Sequence, residues 1–370
     1  MLIGVPKEIK IEENRVGLTP GSVRELVSHG HSVLVQTGAG QGIAVSDQEY
    51  ERAGAKIARS IEEVYGQAQM IVKVKEPQAS ECKLIQKDQI LFTYLHLAAE
   101  KELTLALLET GCTGIAYETV TDNFGRLPLL APMSDVAGRM SIQAAAHALE
   151  QSQGGRGVLL GGVPGVEPAN VVVLGGGVSG TGAIKVALGM GAHVTVLDKS
   201  VPRLIALEAQ FGSQLKTLFA TNDAIEYSVL QADVVIGAVL VPGASAPKLV
   251  TKAMVEKMRS GSVMVDIAID QGGCFETSQP TTHKNPTFKV NNVIHYCVTN
   301  MPGAVPRTST FALNNVTLPF VQALAKNGLL ALKNDPCLMN GLNVHQGKLT
   351  YQAVATAFDL HYTSPAEALS

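Results

Sequence analysis

The stretch NVVVLGGGVSGTG, residues 170–182, decides the fold of this chain. Its glycines follow the spacing G-x-G-x-x-G at positions Gly175, Gly177 and Gly180. That spacing is a weak signal by itself, because a chain with 36 glycines produces it by chance. The context makes it specific. An apolar, β-branched run precedes the glycines, a helical segment follows them, and the next apolar run, HVTVLD, ends in Asp198. A strand, a glycine turn, a helix and an acid about 20 residues further on are typical of a dinucleotide-binding unit.

Each part of this motif has a physical role in such a unit. Gly175 permits the tight turn, Gly177 lets the backbone approach a pyrophosphate, and Gly180 lets the helix lie close to the strand. The helix N-terminus offers N–H groups and a positive dipole end to the phosphates. Asp198 can accept hydrogen bonds from both ribose hydroxyls and would repel a 2′-phosphate, which favours NAD over NADP. Arg203 lies nearby in the sequence and could pair with such a phosphate, so it argues the other way. A glycine-rich turn beside a surface aspartate is the plain structural alternative.

Short apolar runs alternate with helical stretches along most of the chain. In the first third, the predicted strands are Leu2–Val5, Ser32–Gln36, Met70–Val74 and Ile90–Tyr94, and the predicted helices are Pro20–His29 and Lys101–Glu109. Further on, the predicted strands are Val194–Asp198, Ala232–Gly237 and Ser262–Ile267, and the predicted helices are Thr181–Met190, Pro202–Phe211 and Thr251–Met258. This alternation is typical of parallel sheets that are covered by helices on both faces.

The length of the chain and the order of these segments predict two domains. A chain of 370 residues exceeds one ordinary core, since domains run to about 100–200 residues. The Ala-rich segment that begins at Pro132 is predicted as one long linking helix, and Phe311–Asn327 as a helix that returns to the first domain. We therefore predict an α/β fold with two doubly wound parallel-sheet domains. The first is a discontinuous substrate domain made of residues 1–130 and 305–370. The second is a Rossmann dinucleotide-binding domain made of residues 131–304.

Composition argues against several classes of partner. The chain has 29 basic and 32 acidic residues and a net charge of −3, so no basic excess indicates nucleic-acid binding. Its longest apolar stretch is short and broken by Gly and Pro, and its N-terminus reaches charged residues too soon for a signal peptide. The five cysteines are scattered without a C-x-x-C pair, which argues against a disulfide framework and a metal site. We expect a cytoplasmic protein without a metal or a membrane segment.

Three charged residues of the first domain are candidates for substrate chemistry. Arg15 lies in the polar loop KIEENRVGLTP, Lys75 follows the run IVKV, and His96 follows the run ILFTYL. Ligand sites in parallel α/β sheets form at the carboxyl ends of strands, where Lys75 and His96 are expected. Each residue also has a plain interpretation: a solvated arginine, a lysine that extends to water, or a core histidine.

The second domain adds two aspartates in the segment MVDIAIDQGGCFE. Asp270 is expected at the terminus of the strand, beside the glycine turn, which makes it the better candidate for acid/base chemistry. Asp266 is expected inside the strand, in a structural role.

In this order, these motifs make the chain resemble bacterial alanine dehydrogenases over essentially its full length. The matching blocks include GVPKEIKIEENRVGLTP, VKVKEP, LFTYLHLA, LPLLAPMSDVAGRM, VVLGGGVSG, MVDIAIDQGGCFE and VTNMPGAVPRTST. The resemblance implies NAD-dependent oxidative deamination of L-alanine to pyruvate and ammonium, and the reverse amination. It implies that Arg15 and Lys75 bind the substrate, that His96 and Asp270 form the acid/base pair, and that the chain assembles as a homohexamer.

The resemblance also implies a set of cofactor contacts beside the glycines of the motif. They are Ser134, Val178, Ser179, Asp198, Arg203, Val239, Leu240, Ile267, Ala268, Ile269, Asp270, Val298, Thr299, Asn300 and Met301. Three positions depart from what we expect in close relatives: Arg203 stands in place of a Lys, Ala220 of a Ser and Gln279 of an Arg. The first departure keeps the charge, whereas the other two bear on cofactor affinity rather than on the reaction.

Two other kinds of function stay open at the level of sequence. The soluble part of a proton-translocating transhydrogenase shares the two-domain plan, but it exchanges hydride between dinucleotides and needs no substrate-binding set of charged residues. Saccharopine dehydrogenases are a more distant enzyme alternative. A non-catalytic NAD-binding sensor would keep the region around Asp198 without working acid/base groups.

Overall fold

The computed structural model describes residues 1–239 and 246–370 of the chain. These residues form two compact units, one made of Met1–Pro132 with Val305–Ser370 and the other of Met133–Ala304. Each unit contains one sheet with helices, which confirms the α/β class. Within the described ranges, no helix is long and apolar enough to cross a bilayer.

The strands belong to two sheets. They are β1 (Leu2–Val5), β2 (Ser32–Gln36), β3 (Lys56–Ala58), β4 (Met70–Val72), β5 (Ile90–Thr93), β6 (Thr113–Ala116), β7 (Asn170–Leu174), β8 (His193–Asp198), β9 (Leu215–Phe219), β10 (Val234–Gly237), β11 (Val263–Asp266), β12 (Thr287–Val290), β13 (Val293–Tyr296), β14 (Leu342–His345) and β15 (Lys348–Leu349). The first unit holds the eight-stranded sheet β15-β14-β6-β5-β4-β1-β2-β3, and the second holds the seven-stranded sheet β12-β13-β11-β10-β7-β8-β9.

Helices connect most of these strands. They are α1 (Pro20–Ser28), α2 (Asp47–Arg52), α3 (Ile61–Gln67), α4 (Ala79–Cys82), α5 (Lys101–Thr110), α6 (Ala131–Ala148), α7 (Val178–Gly189), α8 (Val201–Phe211), α9 (Asn222–Gln231), α10 (Lys252–Lys257), α11 (Pro306–Asn327), α12 (Leu330–Asn334), α13 (Pro336–Met339), α14 (Gln352–Phe358) and α15 (Pro365–Ala368). Short 3-10 turns lie at Gln41–Ile43, Leu97–Ala99, Tyr117–Thr119, Gln151–Gln153, Gly212–Gln214, Ile267–Gln271 and Met301–Ala304.

The central strands of the second unit are buried on both faces. Side chains of β7, β10 and β11 alternate between two separate apolar clusters, one on each side of the sheet. For example, Val171 and Ile236 belong to one cluster, whereas Val172 and Val235 belong to the other. Near-continuous Val and Ile runs are typical of strands in a parallel sheet that is covered twice. The doubly wound arrangement predicted for this region is confirmed.

Three neighbouring strands of the first unit run parallel to one another. β1 pairs with β4, and β4 pairs with β5. Because parallel neighbours end at the same edge of a sheet, the loops that follow these three strands lie side by side. β4 and β5 end at Val72 and Thr93, earlier than predicted, so Lys75 and His96 lie in the loops beyond the strands. Arg15 lies in the loop after β1, which places all three at this edge.

Candidate active site and dinucleotide-binding loop

The glycine-rich loop joins β7 to α7 in the second unit. Gly175 has a φ of +98°, a conformation that side chains rarely adopt. A Cβ on Gly180 would lie 1.9 Å from the carbonyl oxygen of Gly175, so the helix begins in direct contact with the turn. At Gly177, no described atom lies within 4 Å of the position that a Cβ would take. The loop therefore presents open backbone at one point, and α7 begins at Val178, earlier than predicted, directly after it.

The side chains of Asp198 and Arg203 both bind the backbone of Gly176, in the middle of this loop. The Oδ2 of Asp198 accepts a hydrogen bond from the N–H of Gly176 at 2.7 Å, and its Oδ1 accepts one from the N–H of Ser200 at 2.8 Å. The Nε of Arg203 donates to the carbonyl oxygen of Gly176 at 2.5 Å, and its Nη2 donates to the Oγ1 of Thr181 at 2.6 Å. Gly176 is thus fixed at both its N–H and its carbonyl.

Helix α6, which carries Ser134, contacts the start of α7. One turn further along this helix, a Cβ on Gly138 would lie 1.9 Å from the carbonyl oxygen of Ser179. The absence of a side chain at Gly138 therefore lets α6 contact the first turn of α7. Ser134 and Ser179 are half-buried, and Val178 is exposed.

The prediction that Asp270 ends a strand is wrong, because β11 ends at Asp266. Asp270 is exposed and lies in the 3-10 turn Ile267–Gln271 that follows. Asp266 is buried, and its carboxylate accepts hydrogen bonds from the N–H groups of Ala268 and Cys274 at 3.1 and 2.8 Å and from the Oγ of Ser278 at 2.5 Å. Burial raises the pKa of Asp266, and these hydrogen bonds offset part of the rise. Asp266 therefore anchors the turn that carries Asp270.

The other predicted cofactor contacts follow the neighbouring strands β10, β11 and β13. Val239 lies just after β10, and Leu240 lies outside the described residues. Ile267, Ala268 and Ile269 are in the turn after β11. The group Val298, Thr299, Asn300 and Met301 comes after β13. Since these strands are parallel to β7, the segments lie at the carboxyl edge of the sheet together with the glycine-rich loop.

In the first unit, Arg15 is buried and is paired with a glutamate that the sequence reasoning did not select. Its exposed fraction is 2%, and its Nε and Nη2 donate to the two carboxylate oxygens of Glu13 at 2.7 and 2.6 Å. Burial lowers the pKa of Arg15, but the hydrogen bonds and charge of Glu13 outweigh burial and leave it above its ordinary value. The guanidinium is therefore charged and fixed in orientation.

His96 has a strained backbone that Glu118 supports. Its φ of +49° lies in the left-handed region, which is unfavourable for a residue with a Cβ. The Oε1 of Glu118 accepts hydrogen bonds from the N–H groups of Leu95 and His96 at 3.1 and 2.6 Å, and it lies 4.0 Å from the imidazole Nδ1. The imidazole also stacks on the ring of Tyr94, with centroids 5.7 Å apart. The hydroxyl of Tyr94 donates to the carbonyl of Leu129, which fixes that ring.

Lys75 and His96 both lie close to the carboxylate of Glu76. Glu76 is buried and forms an ion pair with Lys10. Burial raises its pKa, but the positive charges of Lys75, His96 and Lys10 outweigh burial and hold the pKa below its ordinary value. The Tyr94 ring, which stacks on His96, links Arg15 to this group. Burial raises the pKa of the Tyr94 phenol, and the positive charge of the nearby Arg15 lowers it.

The structure therefore brings Arg15, Lys75 and His96 together in the first unit. Asp270 and the predicted dinucleotide contacts belong to the second unit. Sequence reasoning missed Glu13 and Glu118, since neither glutamate has a spacing in the sequence that distinguishes it from a solvated glutamate in a polar or turn segment. Only the order of the strands shows that Glu118, after β6, is next to the loop after β5.

Comparison with known proteins gives one consistent family. The chain matches the model of the alanine dehydrogenase/PNT N-terminal domain at residues 4–137 and that of the C-terminal domain at residues 141–352. An alanine dehydrogenase of Halomonas elongata is 59% identical over 99% of both chains, and one of Mycolicibacterium smegmatis is 55% identical over the full length of both.

Solved structures agree with the family models. A solved L-alanine dehydrogenase superposes with a TM-score of 0.95 at 56% identity and covers 97% of this chain and 99% of its own. A transhydrogenase from Sinorhizobium meliloti superposes with a TM-score of 0.82 at 25% identity and covers 95% of this chain and 100% of its own. The chain therefore belongs to the alanine dehydrogenase/PNT family, and it is more similar to these alanine dehydrogenases than to this transhydrogenase.

Proposed function

We propose that this chain is an NAD-dependent alanine dehydrogenase, which converts L-alanine to pyruvate and ammonium and catalyses the reverse amination. One observation carries the proposal: in a member of this family, Arg15, Lys75 and His96 meet at the carboxyl ends of three adjacent parallel strands. A transhydrogenase-like activity has no use for such a set. We also propose residues 1–130 and 305–370 as the substrate domain and 131–304 as the cofactor domain.

The glycine-rich loop fits a dinucleotide. Open backbone at Gly177 and the N-terminus of α7 suit a pyrophosphate, and Asp198 keeps acceptor capacity for the ribose hydroxyls beyond its two backbone bonds. Arg203 directs two of its donors to the loop, so fewer remain for a 2′-phosphate, which supports NAD over NADP. These residues would hold NAD, and the bound nicotinamide would supply the acceptor for the hydride from the substrate Cα. The proposed cofactor contacts are Ser134, Gly175, Gly177, Val178, Ser179, Gly180, Asp198, Arg203, Val239, Leu240, Ile267, Ala268, Ile269, Asp270, Val298, Thr299, Asn300 and Met301.

Arg15 and Lys75 would hold the substrate. The Arg15 guanidinium is charged, and Glu13 fixes its plane, so it can present a donor edge to the substrate carboxylate. The Lys75 ammonium would donate to the oxo group of pyruvate and stabilise the negative charge that develops on that oxygen. Two fixed cations of this kind select small 2-oxo acids over neutral carbonyl compounds.

His96 and Asp270 would carry the proton transfers. Water adds to the imine that forms from alanine, and ammonia then leaves, so one group must accept a proton and one must donate it. Glu118 and Tyr94 hold the imidazole of His96 in one orientation, as a general acid or base requires. Such catalysis contributes about a hundred- to ten-thousand-fold to the rate.

A spectrophotometric assay with the purified chain tests this proposal. We expect NADH to form from NAD and L-alanine at alkaline pH, and much more slowly when NADP replaces NAD. Hydride exchange between two dinucleotides without deamination would instead indicate a transhydrogenase-like activity. Binding of NAD without turnover of any amino acid would indicate a sensor.

We further propose that the chain works in the cytoplasm as a homohexamer, which the family resemblance supports. Light scattering coupled to size-exclusion chromatography measures the mass of the particle in solution. A mass of six chains is the expected result, and a monomer would contradict the proposal.

A further inference from the structure

A lysine adjacent in sequence to Lys75 is buried between two glutamates. The side chain of Lys73 is fully buried, and its Nζ lies 3.1 Å from the Oε2 of Glu8 and 3.2 Å from the carboxylate of Glu81. Both glutamates are buried as well. Removing charges from water costs several kcal/mol per ion, and apolar residues of similar volume often stabilise a fold equally well. The cluster therefore calls for a role beyond stability.

The hydrogen bonds of this cluster extend to the backbone of Lys75. The Oε1 of Glu8 accepts from the N–H of Val74 at 2.6 Å and from the N–H of Lys75 at 3.3 Å. The Nζ of Lys73 donates to the carbonyl oxygen of Lys75 at 3.0 Å. The Oγ1 of Thr93, on the adjacent strand β5, donates to the same oxygen at 2.9 Å. Both polar groups of the Lys75 backbone are therefore held by buried side chains.

These bonds hold the chain just beyond the end of β4. The strand ends at Val72, so Lys75 lies in the loop that follows it. A loop residue of this kind would ordinarily bond to water and sample several conformations. Here one carboxylate, one ammonium and one hydroxyl fix it instead, and a fixed backbone limits the positions that the Lys75 ammonium can reach.

We infer that Lys73 and Thr93 are positioning residues, which fix the backbone of Lys75 so that its ammonium meets the substrate. The inference rests on the proposed function, in which Lys75 binds the oxo group of pyruvate. Neither residue contacts the substrate in this scheme. Lys73 acts from inside the ion cluster, and Thr93 acts through its hydroxyl alone.

Thr93→Val gives the sharpest test, because it removes the hydroxyl at nearly constant volume and leaves the three charges in place. The loss of one hydrogen bond to the Lys75 carbonyl should raise the KM for pyruvate about three- to tenfold. The dissociation constant of NADH should stay at the wild-type value. Thr93→Ser keeps the hydroxyl and should keep a near wild-type KM. Thr113→Val is the matched control. Thr113 lies on the neighbouring strand β6, and the substitution removes a buried hydroxyl that is bonded to His345 on β14.

Lys73→Met supplies the second test, because it removes the ammonium and keeps a long side chain. We expect a larger rise in KM than in Thr93→Val, again with unchanged NADH binding. Should Lys73→Met fail to fold, the Thr93 pair decides by itself. A wild-type KM in Thr93→Val, or an equal rise in Thr113→Val, overturns the inference. An inactive wild-type enzyme, or full activity in Lys75→Ala, would instead refute the proposed function.

Discussion

Replacement of Glu118 by alanine tests whether the strained backbone of His96 matters for turnover. Two N–H groups, those of Leu95 and His96, donate to this carboxylate at 3.1 and 2.6 Å. Hydrogen bonds to a charged group contribute about 1.5–3 kcal/mol each, and the left-handed conformation costs about 1–2 kcal/mol for a residue with a Cβ. Without the carboxylate, the stack on Tyr94 remains but the two backbone hydrogen bonds are lost, so His96 should relax to an ordinary conformation and its imidazole should move.

We expect Glu118→Ala to lower kcat strongly and the free energy of unfolding moderately. Water can reach part of this loop and satisfy the released N–H groups, so we expect about 1.4–2.8 kcal/mol of the interaction to be lost. If the same free energy must be spent to bring the His96 imidazole into its reactive position, kcat falls about ten- to a hundredfold. The dissociation constant of NADH should not change, because the predicted dinucleotide contacts belong to the other unit.

The assay is the steady-state amination of pyruvate, with NADH binding followed by fluorescence. Glu49→Ala is the control, since its carboxylate also accepts a backbone N–H, that of Ser46, at the first turn of α2. It should lower the melting temperature and leave kcat unchanged. A kcat for Glu118→Ala within twofold of the wild-type value would refute the reasoning.

Three further predictions concern the second unit and the acid/base pair. Asp198→Ala should reduce the preference for NAD over NADP in kcat/KM about tenfold or more, and an unchanged ratio would exclude a role for this carboxylate at the ribose. His96→Ala and Asp270→Ala should each lower kcat about a hundred- to ten-thousand-fold while NADH binds normally, and near-normal turnover would exclude the residue concerned. Gly180→Ala should abolish NADH binding or folding, because its Cβ would lie 1.9 Å from the carbonyl oxygen of Gly175. Gly189→Ala, on the same helix with no described atom near the new Cβ, should behave like the wild type in thermal unfolding and in NADH titration.

The buried strands were predictable from sequence, whereas edge elements were not. Strand β10 is an uninterrupted apolar run, and β7 is one after Asn170, because both faces of the sheet are covered. β9 was missed because it lies at an edge, where LKTLF has only one buried side chain and an irregular pattern. The final strands, β14 and β15, are short and polar in part, which gives no clear period of two.

The error at β11 has a local physical cause. The apolar side chains of Ile267 and Ile269 continue the pattern of the strand, so sequence reasoning extended the strand to Ile267 and expected Asp270 at its terminus. In the structure, the carboxylate of Asp266 accepts the N–H of Ala268 and ends the strand there. A side chain that bonds to nearby backbone competes with the sheet ladder, and sequence periodicity does not detect this competition.

Candidate cations were easier to predict than their partners. Lys75 and His96 stand out as charges after apolar runs, and Arg15 as a cation in the polar loop after the first strand. The sheet order then brings the three together. Glu13 and Glu118 give no such signal, because their roles are defined by hydrogen bonds to a neighbouring guanidinium and to backbone from another loop.

The double attachment of Gly176 limits how the nucleotide preference of this enzyme can be redesigned. The carboxylate that we assign to the ribose also braces the turn that would cradle the phosphates. A substitution that only makes room for the 2′-phosphate therefore also weakens the binding of both NAD and NADP. A successful redesign needs a replacement at position 198, such as serine or asparagine, that still accepts the glycine N–H while it gives up the negative charge.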